Sequence, residues 1–264
     1  MNIQISLTPS EGKRLIAKGV LEYLKDRIDD GNTILVTRGS TNAYVLEELL
    51  KYVGAPADFN KADFITGEIL ADGNNRLWAN KKRKPEVVFK GKSTRDIKDE
   101  ADRLVTVQRM KEGDVVLKGA NAIDHKGTVG VLVGDTKTGG TIGSLIGPIK
   151  AKGVELVVPI GLEKMVWGEI DSGTSQMAGA NFAYWSQGMG VGIFPVSATV
   201  ITEIDAIEML FDVEAFHLAS GGLGTAQGSV VLLIEGEDEE LEKCKAFLDK
   251  DVFGEEQLQP NPAE

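Results

Sequence analysis

Arg38-Gly39-Ser40-Thr41-Asn42 stands between a β-rich run, Thr33 to Thr37, and a stretch with apolar residues at Val45, Leu46, Leu49, Leu50 and Val53. A helix that starts at such a turn leaves its first amide N–H groups without helical partners, and its dipole favours negative charge. Gly39 lets a ligand approach the backbone. Ser40 and Thr41 offer hydroxyl donors, and Arg38 can pair with a phosphate or carboxylate. These are the parts of an anion site. The same residues also suit a plain helix cap made by Ser40 or Thr41. The stretch is neither a Walker loop nor a GxGxxG turn, because the required glycines and the Gly-Lys pair are absent.

Three further stretches share this placement. An apolar strand ends in Lys118-Gly119-Ala120-Asn121. Ligands of open α/β sheets bind beyond the carboxyl ends of strands, so polar residues leaving such an end face a candidate site. Lys118 can neutralise an anion or stabilise an oxyanion, and Asn121 can both donate and accept. Asp124 is the nearest acid and a candidate general acid or base. Asp124-His125-Lys126-Gly127 also reads as a β-turn joining two strands. Gly139, Gly140, Thr141, Gly143 and Ser144 open another helix, where amides can hold an anion and where glycine can equally serve a flexible loop. Gly161-Leu162-Glu163-Lys164 follows the apolar run Val154 to Ile160. Glu163 is the second candidate acid or base and Lys164 a further ligand contact, unless the two form an ordinary surface ion pair. His125 and His217 are too few and too far apart for a metal set, and neither a metal nor another cofactor is expected. No GxSxG nucleophile elbow occurs.

The chain has 264 residues and a net charge of −11, from 40 acids against 29 bases. Such a field repels phosphate backbones, so nucleic acid is not an expected partner. The one basic run, Lys81-Lys82-Arg83-Lys84, reads as a solvated loop. No apolar run reaches the ~20 residues of a spanning helix, and no membrane association is expected. The opening stretch lacks a basic start followed by a long apolar run, so no secretory signal is expected. With Cys244 as the single cysteine, a cytoplasmic location is the expectation.

The elements that must position these residues follow from pattern. Thr8-Pro9-Ser10-Glu11 combines a capping box with proline at the first helical position. It predicts a helix to about Asp30 with Ile16, Val20, Leu24 and Ile28 on one face. Runs at Thr33–Thr37, Glu86–Phe89, "DVVLKG", "TVGVLVG" and "VELVVPIG" read as strands. Helices are predicted between them, one of them starting at Ser93-Thr94. This alternation predicts an α/β fold: a Rossmann-like, mainly parallel sheet with helices on both faces. A hairpin is predicted within 64–85, with Asp72-Gly73 or Gly73-Asn74 in its turn. After about Pro195 the order β-α-β-β-α predicts a small ferredoxin-like α+β unit. The expected division is 1–194, 195–254 and a flexible tail, 255–264. The Gly-, Ala- and aromatic-rich stretch from Ser172 to Gly192 is expected in the core or against a second copy of the chain, which leaves a homo-oligomer open.

These motifs resemble a known superfamily. Strand-"RGSTNA"-helix is similar to the glycine-serine-threonine turn of ribose-5-phosphate isomerases. "KGANAID" with "KGTV" resembles the Gly-Ala-Asp-x-Ile segment of sugar-phosphate isomerases. "KGANAIDHKGTVGVLVG" with "VELVVPIGLEKMV" is similar to lactate-utilisation (LUD) domains. All belong to the ribose-5-phosphate isomerase/glucosamine-6-phosphate deaminase/CoA-transferase-like superfamily, and the resemblance covers roughly residues 34–166. It implies a cleft at the strand ends that binds a small anionic metabolite: a phosphosugar, a nucleotide or a CoA-like molecule. Arg38, Gly39, Ser40, Thr41, Asn42, Gly119, Asn121, Lys164 and the 139–144 loop would bind it. Asp124, Glu163 and Lys118 would serve any chemistry. The sequence departs from the isomerases at Asn121, where they carry an acid, and at Lys118, where the ribose-phosphate enzymes carry another. An amide cannot shuttle protons as a carboxylate does, which argues against the standard aldose–ketose mechanism. A non-catalytic sensor or assembly subunit is the alternative.

Overall fold

The computed structural model describes residues 1–55, 59–69, 75–76, 83–170, 179 and 184–259. Strand β1 (Asn2–Leu7) leads into α1 (Pro9–Asp29), which starts where the sequence predicts. The Thr8 side chain accepts from the Glu11 amide while Glu11 reaches back to the Thr8 amide. Then come β2 (Thr33–Val36), α2 (Ser40–Tyr52), the pair β3 (Glu68–Ile69) and β4 (Asn75–Arg76), β5 (Val87–Lys90), β6 (Ser93–Asp96) and α3 (Glu100–Arg109). The chain continues with β7 (Val115–Leu117), β8 (Ala122–Ile123), β9 (Val129–Val133), α4 (Gly140–Ala151) and β10 (Glu155–Pro159). It closes with β11 (Gly192–Val196), β12 (Thr199–Ile201), α5 (Glu203–Leu210), β13 (Val213–Gly221), β14 (Ser229–Gly236) and α6 (Asp238–Asp251).

The fold is mixed α/β around a six-stranded sheet of order β12-β10-β7-β2-β5-β6. The pairs from β12 to β2 are parallel, and β5 and β6 are antiparallel additions. Side chains alternate across a strand, so each strand feeds two cores. Ile34, Val36, Val115, Leu117 and Val157 pack with α1, α2, α5 and α6 on one face. Leu35, Val116, Leu156 and Val158 pack with α3 and α4 on the other. All four parallel strands therefore run their carboxyl ends to one edge.

Several expectations need correcting. No helix starts at Ser93-Thr94. Gly91 takes a positive φ of 56° and turns the chain into a hairpin; the helix waits for Asp99, whose side chain caps the Asp102 amide. "TVGVLVG" does not join the main sheet but forms a separate antiparallel sheet, β11-β9-β8. β12 follows residue 195 yet pairs with β10, while β1 from the N-terminal region pairs with β14. The expected division at 194/195 thus does not coincide with a division between sheets. The stretch 255–259 is tied down. Glu255 binds Arg14 Nε at 2.8 Å and the Leu258 amide donates to Ser10 Oγ at 2.9 Å. The hairpin within 64–85 is present as β3 and β4, but its turn lies outside the described residues, as does most of 172–192. Among the described residues no helix is long and apolar enough to cross a membrane.

Candidate functional site

The turn after β2 and the loop after β7 meet at a cavity of 180 Å³ beyond the carboxyl edge of the sheet. Arg38, Gly39, Ser40, Thr41, Lys118, Gly119, Asn121, Gly139, Gly140, Thr141 and Lys164 line it, all of them sequence-predicted. Helix α2 has no side-chain cap. Its first amides therefore lack a capping side chain at the end where Gly39, Ser40 and Thr41 line the cavity. Helix α4 starts at Gly139 in the left-handed region, and the Thr138 hydroxyl accepts from its Gly140 amide at 3.1 Å. Thr41, 2 % exposed, has a hydroxyl with no hydrogen-bond partner among the described residues.

The wall is cationic although the chain is anionic. Arg38, Arg83, Lys118 and Lys164 face two acids, Glu86 and Asp135. Asp135 is occupied in capping its own turn, through the Lys137 amide and the Thr138 hydroxyl. Glu86 is shared by Arg103 at 3.2 Å and Arg38 at 4.0 Å. Burial lowers the pKa of Arg38; Glu86 opposes this, and the nearby Arg83 and Arg103 add to it. Arg103 also reaches Glu100 at 3.7 Å, so three guanidiniums meet two carboxylates and leave an excess of positive charge that an anion would neutralise.

Not every predicted residue reaches this cavity. Asn42 is fully buried, and its amide nitrogen donates to the carbonyls of Thr37 and Leu117, tying the ends of β2 and β7 together. Gly143 packs against the Thr138 carbonyl, which a Cβ would meet at 2.1 Å, and Ser144 Oγ donates to the Thr141 carbonyl. Asn121 lines the cavity but spends its amide on structure, accepting from the Leu132 N–H and donating to the Gly67 carbonyl. Asp124 is away from the cavity. It accepts from the amides of Lys126, Thr128 and Ile170. Burial disfavours its charge, but these donors win and hold its pKa below the ordinary value. An acid so committed to the backbone serves the β-turn rather than proton transfer. Arg83 and Glu86 were not singled out by sequence. Arg83 belonged to a basic run that reads as a solvated loop; Lys81 and Lys82 lie outside the described residues.

No protein-family model and no curated protein matches the chain.

Glu163 and Lys164 open a second, larger chamber of 600 Å³. Ser40, Asn121 and Lys164 belong to both chambers. Thr8, Pro9, Ser10 and Lys13 from the start of α1 line it, with Gly228, Glu255, Gln257 and Leu258. Lys13 Nζ lies 2.9 Å from Glu163 Oε1, and the two side chains are 10 % and 13 % exposed. Behind them Glu203, 1 % exposed, accepts from the Leu162 amide at 2.9 Å. Burial and the neighbouring Glu163 push Glu203 up to about 8. Against its own burial, Lys13 and Lys164 hold Glu163 below the ordinary value.

A prediction follows from Glu203. Its folded-state pKa exceeds the ordinary 4.5, so the folded protein holds more protons than the unfolded chain between about pH 4.5 and 8 and loses stability as pH rises through that window. Glu203→Gln cannot ionise. Its melting temperature relative to wild type should rise steadily from about pH 5 to about pH 8. Thermal melts across that range would show a constant difference if Glu203 were ionised throughout.

Proposed function

We propose that the chain binds a small metabolite through an anionic group, phosphate or carboxylate, in the cavity beyond β2 and β7. The observation that carries this is the convergence of two helix starts, that of α2 without a side-chain cap and that of α4, on one cavity with four basic and two acidic side chains. Helix N-termini and guanidinium groups recognise the same oxyanions. Lys118 adds charge, and the unpartnered Thr41 hydroxyl offers a donor. The parallel core of the main sheet, from β12 to β2, supports a Rossmann-like reading of the fold. With the motif resemblance it supports membership of the superfamily of sugar-phosphate isomerases and LUD domains. A phosphosugar-sized ligand suits the first chamber.

Titration with inorganic phosphate tests this reading. Arg38→Gln should weaken binding by about 1.5–3 kcal/mol, the worth of a charge-assisted hydrogen bond. The melting temperature should barely move. A phosphate or sulfate complex should place the anion against the amides of Ser40 to Asn42. Phosphate affinity that ignores Arg38 would show that the turn merely starts a helix.

A further inference from the structure

Beyond α6 the chain turns at Gly254, φ 78°, and crosses the start of α1 without forming helix or strand. Glu255, Gln257 and Leu258 line the second chamber on one side. The same three residues line a further cavity of 460 Å³ on the other, together with Phe59, Asn60, Lys61 and Ala62. The segment is therefore a thin partition with open space on both sides. Of residues 254–259 only Glu255 and Leu258 are even partly buried, and Leu258 rests against the main core.

What holds the partition is mostly polar. The Gly254 amide donates to Glu11 Oε1 and the Leu258 amide to Ser10 Oγ, each at 2.9 Å. Between them Arg14 grips the Glu255 carboxylate with its fork, Nε at 2.8 Å and one Nη at 3.2 Å. Lys61 Nζ lies 3.2 Å from the same carboxylate. A two-point bond of this kind is strong and demands exact placement. The cradle keeps its shape by other means. Arg14 and Lys61 stand over the Tyr44 ring, 5.1 and 4.8 Å from its centre, an attraction between cation and ring face. Arg14, Lys18, Lys51 and Lys61 meet Glu47, Glu48 and Asp251 around it, so that Glu255 brings the fourth negative charge to four positive ones.

We propose that residues 254–258 are a releasable strap. Docked, they close one side of the second chamber; released, with Glu255 out of the Arg14–Lys61 cradle, they join the two cavities while the rest of the fold stays intact. Release breaks one forked ion pair and two amide hydrogen bonds and exposes one leucine. Segments held by so few buried contacts open at a small fraction of the free energy of unfolding.

Amide hydrogen exchange on the intact protein tests this. The Gly254 and Leu258 amides should exchange together, through an opening that urea hardly affects, and far faster than the core amides of Val116 and Leu232. Glu255→Gln should speed both strap amides equally, by about tenfold or more, the worth of a charge-assisted hydrogen bond. Ile149→Val, a change in the core on the far face of the sheet, should speed Val116 and Leu232 and leave the strap amides as they were. Thiol labelling reads access to the chamber. Ser10, 4 % exposed, lines it beneath Leu258. Cys244 is fully buried, which pushes its thiol up to about 11, so it gives little background. N-ethylmaleimide should label a Ser10→Cys protein slowly, and the same protein carrying Glu255→Gln about tenfold faster or more. Strap amides that exchange at the core rate and respond to Ile149→Val would make the segment part of the cooperative fold and overturn the proposal. Strap amides without protection would overturn it from the other side, and so would equal labelling of the two Ser10→Cys proteins.

Discussion

Lys13→Met should destabilise the protein by about 3 kcal/mol at neutral pH, the cost of leaving a buried carboxylate without its cation. Lys13 reaches from α1 to Glu163 at 2.9 Å, and both side chains are largely hidden from water. Methionine fills much the same volume, so lost packing contributes little. The effect should depend on pH. Glu163 has a lowered folded-state pKa. Its ionised form therefore stabilises the protein fully above the unfolded value, and that contribution disappears as pH falls through the folded one. The variant and wild type should differ most at neutral pH and converge as pH falls below the ordinary carboxylate range and through the lowered folded-state value of Glu163. Urea unfolding at several pH values measures this. Equal midpoints at neutral pH would mean that the pair contributes nothing to stability.

Gly39→Val should lower phosphate affinity by at least ~100-fold, about 2.7 kcal/mol. The backbone at Gly39 is extended, with φ 163°, so valine fits it without strain. A Cβ there meets nothing nearer than Asn42 Cβ at 3.9 Å. The added methyl groups would instead occupy the cavity in front of the α2 amides. Stability should change by no more than about 0.5 kcal/mol, as for a substitution that disturbs no packed neighbour. Calorimetric titration and a melt on the same sample separate the two effects. Phosphate binding at wild-type strength would place the anion elsewhere.

Local sequence carries much of the sheet and of the cavity. Thr8 with Glu11, the run Thr33 to Val36 and the glycine at 39 act over a few residues, and the folded chain uses them where the pattern puts them. Strand ends also tell which loops gather at one edge, which is why Arg38, Lys118 and Gly140 share a cavity. Which polar side chain at a strand end faces outward is a different matter. Asn42 turns back to the Leu117 carbonyl, and Asp124 to the Ile170 amide, because register between distant segments presents unpaired backbone groups there. Arg83 reaches the cavity only because its chain returns as β5 beside β2. The pairing of Lys13 with Glu163 across the fold leaves no trace in spacing. β1 was equally hidden, since its partner lies near the other end of the chain.

That last arrangement bears on how the protein is made. Asn2 pairs with Glu235 and Leu7 with Val230. A ribosome releases β1 well before β14, so β1 must wait with its backbone groups unpaired while the elements between them are synthesised. Pairings so distant in sequence close slowly, and an unpaired strand is a template for intermolecular association. Nascent chains halted before Ser229 should therefore be the aggregation-prone species.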